Sequence, residues 1–142
     1  MKIFAPIILS LSTLLACQIA SAQVEATSCK EVKFNAEAKP YANHYYLEGM
    51  MEVGSELLLK DDGRFEWYFV VGGLDQEAQG TWWKNGNCIG LKPEEKYSKY
   101  LEIFPKQLNI VENHLDVIWM QGEANGVYIR AEDLKAISVD ED

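Results

Sequence analysis

After residue 43, apolar and polar positions alternate along most of this chain with a period of two, the spacing of β-strands with one buried face. Between Arg64 and Val71, Phe65, Trp67 and Phe69 fall on one face, with Arg64, Glu66 and Tyr68 on the other. Leu115, Val117 and Trp119 share a face in the same way. Shorter runs of strand type cover His44–Met51, Glu56–Lys60, Glu77–Lys84, Asn87–Leu91, Tyr100–Phe104, Gln107–Val111 and Val127–Arg130. Turn signals separate them. Asp61-Asp62-Gly63 and Asn85-Gly86 are hairpin sequences, Gly72-Gly73 interrupts a run, Glu112-Asn113 reads as a turn, and Asn125-Gly126 precedes the last run. Pro93–Ser98 reads as a charged loop or at most a helical turn. No segment carries a long helical period.

About seven to nine short strands with regular turns predict an all-β fold, a small antiparallel barrel or sandwich. Closure into a barrel would remove the unpaired edges. Residues 23–43 are polar and aperiodic and form a lead-in segment. Residues 44–137 form the β domain, and 138–142 an acidic tail.

The first 22 residues have a different pattern. Lys2 precedes an apolar run from Ile3 to Ala16, and Ala20-Ser21-Ala22 supplies the small residues of a cleavage site. This is the layout of a secretory signal peptide, and it predicts export, with the periplasm as the expected compartment. The run is too short for a membrane span, which needs about 20 apolar residues. Leu14-Leu15-Ala16-Cys17 also resembles a bacterial lipobox, which implies cleavage before Cys17 and a lipid anchor on that residue. Both endings of the signal remain open at this point.

Export changes the reading of the cysteines. Removal of residues 1–22 leaves Cys29 and Cys88, 59 positions apart, as one possible pair. An oxidising compartment favours a disulfide between them. Such a loop closure is worth roughly 4 kcal/mol in the chain-entropy account. A zinc site would need closer cysteines and histidine partners.

The formal net charge is −9, and loss of Lys2 takes it to −10. With no cluster of basic residues, nucleic acid and anionic lipid surfaces are poor partners. The charge suits solubility, or a basic partner.

The run Gly54–Tyr68, with Leu74-Asp75-Gln76 and Gly80-Thr81-Trp82, resembles a set of small exported bacterial proteins. In them a Tyr-x-x-x-Gly strand, a Leu-x-Leu-x-x-Asp-Gly-x-Phe hairpin and a Gly-Thr-Trp strand recur. Here these are Tyr45–Gly49, Leu57–Phe65 and Gly80–Trp82. Lipocalin-like and META-type domains share this hairpin grammar. The resemblance implies a β-barrel and transfers no catalytic residue. Asp61, Asp62 and Gly63 are read as turn residues, because the spaced acids of a calcium loop are missing. Leu57, Leu59, Phe65 and Trp67 are expected to face the core.

Candidate chemistry is sparse. The histidines are His44 and His114, both expected at strand ends facing solvent, and no Gly-x-Ser-x-Gly elbow accompanies them. Met50, Met51 and Met120 near these histidines would suit copper, but methionines at strand positions are commonly core filler. No metal, cofactor or catalytic residue is therefore assigned. Tyr46, Tyr68, Trp82, Trp83, Trp119 and Tyr128 exceed what a minimal core needs. They are candidate ligand-binding residues if the barrel is open, and core filler if it is not. The expectation is a non-enzymatic exported binding domain for a small apolar ligand or an envelope protein. The alternative is a periplasmic inhibitor or immunity-type protein acting on a basic partner, with Gly72–Asp75 or Pro93–Ser98 as its projecting loop.

Overall fold

The structure, a computed structural model, describes residues 29–139 and side chains to residue 136. The signal-peptide and lipobox readings, Cys17 included, lie outside the described residues, as does the end of the acidic tail.

Eight antiparallel strands close into a barrel in sequence order. They are β1 (His44–Glu48), β2 (Val53–Leu59), β3 (Arg64–Val71), β4 (Leu74–Asn85), β5 (Cys88–Pro93), β6 (Pro105–Val111), β7 (His114–Trp119) and β8 (Ala124–Arg130). Each strand pairs with the next, and β8 returns to β1 through Tyr46↔Ile129 and Leu47↔Tyr128. Alternation decides the two faces. Leu57 stands opposite Trp67 and Leu59 opposite Phe65, all four inside. Asp61-Asp62-Gly63 makes the β2–β3 turn, where the Asp62 carboxylate accepts the Arg64 N–H at 2.9 Å. Gly63 has φ +83°, and a side chain there would also press on Phe34, 3.1 Å away.

Two segments stop the ends of the barrel. At the lower end, where β1, β3, β5 and β7 begin, residues 29–43 form a strap. The Cys29–Cys88 disulfide fastens its start to β5. Phe34 then meets Trp82 edge-on, ring centres 5.1 Å apart, and Ala38 is completely buried. A short 3-10 helix (Lys39–Tyr41) ends in the Tyr41 carbonyl, which accepts the Tyr45 hydroxyl at 2.7 Å.

The upper end is stopped by the segment after a one-turn helix α1 (Glu95–Ser98). Here the structure corrects the sequence reading: Tyr100–Phe104 is a loop and not a strand. Leu101, Ile103 and Phe104 turn inward against the core. The Gln76 side-chain oxygen accepts the Glu102 N–H at 2.6 Å and the Ile103 N–H at 3.4 Å, the bonds a neighbouring strand would otherwise supply. Helix α2 (Ala131–Val139) follows β8 and was also absent from the sequence reading. It is short, and its acids Glu132 and Asp133 sit in the first turn, where the helix dipole favours negative charge.

Candidate functional site

The six aromatic candidates fall into three places. Trp82, Trp119 and Tyr128 point into the barrel and are fully buried. Trp83 points outward on β4 yet is only 6% exposed. It lies across Gly90, where a Cβ would come within 2.3 Å of its ring. Cys29 and Glu31 of the strap are held on either side of Gly90, at Cys88 and Lys92. Tyr46 and Tyr68 alone reach the outer surface.

The interior is filled. Trp67 stacks beside Phe69 with centres 5.8 Å apart and meets Phe104 edge-on at 5.1 Å. Phe69 meets Trp119 edge-on at 5.6 Å. Such ring contacts occupy the volume in which a lipocalin-type ligand would sit. Trp67, Tyr128 and Ser55 satisfy one another's polar atoms inside the barrel. Trp67 Nε1 donates to the Tyr128 hydroxyl at 2.9 Å, and Ser55 Oγ lies 2.7 Å from that hydroxyl and donates to the Tyr68 carbonyl at 2.6 Å. Burial pushes the Tyr128 hydroxyl well above the ordinary tyrosine range.

The outer wall of β1–β4 carries the most distinctive surface. Register places Tyr46, Glu56, Tyr68 and Glu77 side by side across the four strands. The neighbouring row is His44, Leu58, Glu66 and Gln79. An open groove of about 360 Å³ runs over both, lined by His44, Glu56, Leu58, Glu66, Tyr68 and Glu77. A second groove of about 320 Å³ continues it past Tyr46, Glu48, Val70 and Leu134.

The side chains here are held in place. The His44 and Tyr46 rings stack at 4.6 Å, and His44 Nε2 is 3.2 Å from Glu56 Oε2. The Tyr68 hydroxyl donates to Asp75 at 2.8 Å, and that bond to a carboxylate raises its pKa. Lys60 pairs with Glu66 at 3.4 Å, while Glu77 has no basic partner among the described residues.

Chemically, this wall offers carboxylates and ring faces. Among the described residues, no group of three His, Cys, Asp or Glu side chains is placed to hold a metal ion. His44 and His114 start β1 and β7 at the lower end, both half-exposed. Met50, Met51 and Met120 follow the upper ends of β1 and β7, which separates the sulfur atoms from the imidazoles. Met50 packs against the core, whereas Met51 is 92% exposed and Met120 is also exposed, so the filler reading is corrected for those two. Both sit in turns, where alternation no longer sets a buried face. Cys29 and Cys88 are joined, as expected.

Sequence reasoning named Tyr46 and Tyr68 but missed Glu56, Glu66, Glu77 and Leu58 as their neighbours. An apolar Leu58 on the outward parity of β2 was the available signal. Comparison with protein-family models, curated proteins and solved structures found no match. No helix of the described residues is long and apolar enough to cross a membrane.

Proposed function

We propose that this chain is a non-enzymatic binding domain exported to the periplasm, and that it works by docking another envelope protein on its outer wall. One observation carries the reading: the aromatic rings that could have lined a ligand cavity pack against one another inside the barrel. That leaves the outer surface as the place of recognition and favours the envelope-protein option over the small apolar ligand. Its ordered tyrosines and carboxylates on β1–β4 are the residue types that serve recognition well. Tyrosine supplies contact area at low entropic cost, and charge sets partner and orientation. The disulfide is compatible with export.

The test is site-specific photocrosslinking in cells exporting the full chain. A photoreactive residue replaces Tyr46, Thr81, Val111 or Glu123 in turn, positions spread over the outer surface. The expected result is a discrete protein adduct from at least one position. Absence of any adduct, with a small molecule retained by the purified protein, would overturn the reading.

A further inference from the structure

Tyr68 lies at the centre of a ring of carboxylates. Glu56 and Glu77 stand opposite it on β2 and β4. Adjacent strands are about 4.8 Å apart, so each acid lies one strand spacing away. Glu66 precedes Tyr68 by two residues on the same outward face of β3, and Asp75 holds the Tyr68 hydroxyl. The ring is 44% exposed and cannot turn freely while Asp75 holds its hydroxyl. Leu58 lies in the same groove and Val70 in the adjoining one, each half-buried.

Of these four acids, Lys60 compensates Glu66 alone, and the imidazole of His44 faces Glu56. The wall therefore combines excess negative charge, an immobilised π face and short apolar patches. A guanidinium matches all three. It is weakly hydrated, stacks on aromatic faces, pairs with carboxylates in two-pronged fashion and carries an aliphatic stem.

We infer that the β1–β4 wall is the docking face for an arginine-bearing segment of the partner protein, with one guanidinium over the Tyr68 ring between Glu56 and Glu77. The inference rests on the outer-wall reading above and names its site and chemistry. An extended segment fits the groove best, since its alternate side chains are spaced about 6.8 Å apart, matching the two-residue pitch between the rows.

The test titrates the exported chain with a synthetic ten-residue peptide of alternating serine and arginine, at low salt, by calorimetry and amide chemical-shift mapping. Saturable binding is expected, with shifts concentrated on His44–Glu48, Glu56–Leu58, Glu66–Val70 and Glu77–Gln79. The double variant E56Q/E77Q, isosteric and exposed, should weaken binding at least tenfold, and Tyr68→Thr about fivefold. The control E102Q/E123Q removes the same charge elsewhere and should change affinity less than twofold. A peptide of alternating serine and lysine should bind several-fold more weakly. No saturable binding, shifts on another wall, or equal weakening by both double variants would overturn the inference. Crosslinks to a partner from elsewhere on the barrel, with an inert arginine peptide, would remove this face while leaving the outer-wall reading standing.

Discussion

Trp67, Tyr128 and Ser55 form a short hydrogen-bond chain inside the barrel that ends on the Tyr68 carbonyl. A hydroxyl carries one proton, and Ser55 gives its own to the carbonyl, so Tyr128 donates to Ser55 and accepts from Trp67. Every donor is used. Removing the middle group leaves the Trp67 N–H buried without a partner, which costs more than a simple bond is worth. Tyr128→Phe should therefore lower unfolding stability by about 1–3 kcal/mol, read by urea denaturation. The same residue shapes the alkaline limit. Burial raises the Tyr128 pKa above its ordinary 10.0, and it raises Tyr45 likewise against a smaller opposing effect from Arg130. An acid with a raised folded pKa contributes stability in full below the unfolded value and loses it as pH rises beyond that value. Stability should thus fall above pH 10, by about 1.4 kcal/mol per pH unit on account of Tyr128, with Tyr45 acting in the same direction. The fall should be shallower in Tyr128→Phe, and equal slopes in the two proteins would contradict the assignment.

At the scale of elements, the strap is the part whose attachment depends on a covalent bond. Its middle is packed through Phe34 and Ala38, but its start is secured to β5 by Cys29, with only the exposed Lys92–Glu31 pair and the Asn85–Lys30 contact beside it. Exposed ion pairs contribute little. Replacing both cysteines by serine should cost about 4 kcal/mol in the chain-entropy account. Hydrogen exchange should show where: amides of residues 30–42 should exchange faster while β2, β3 and β4 keep their protection. An even loss of protection over the whole chain would mean that the strap and barrel open as one unit. The strap was legible in the sequence as an aperiodic lead-in pinned at Cys29. Its role as a stopper was not, because Phe34 and Ala38 bury themselves against distant residues and obey no local period.

For the whole molecule, the decisive property is what fills the barrel. Eight strands enclose a space that side chains can just fill or that can hold one small ligand. Here rings from β3 and β7 meet one another and the Phe104 loop across it. Native mass spectrometry of the purified protein should accordingly show no non-covalently retained small molecule. Added long-chain fatty acid should neither bind saturably nor change tryptophan emission. Stoichiometric binding with altered tryptophan emission would show that the rings part to admit a ligand.

Local patterns were enough to mark most of the strands, the hairpin turns at Gly63 and Gly86, the inward residues of β3 and β7, and the cysteine pair. Each of these follows from two-residue periodicity, turn chemistry or simple elimination, which act within a few positions of the chain or need only a count. The tertiary structure alone decided closure. The pairing of Tyr46 with Ile129 joins residues more than 80 positions apart, and no local pattern encodes its register. Closure in turn sorted the aromatic candidates, sending Trp82, Trp119 and Tyr128 into a filled interior, Trp83 onto the outer wall across Gly90, and Tyr46 and Tyr68 to the open surface. Period two states that a strand has two faces. Which face is sealed, and which acids of neighbouring strands gather around Tyr68, depends on volume and register across the whole barrel.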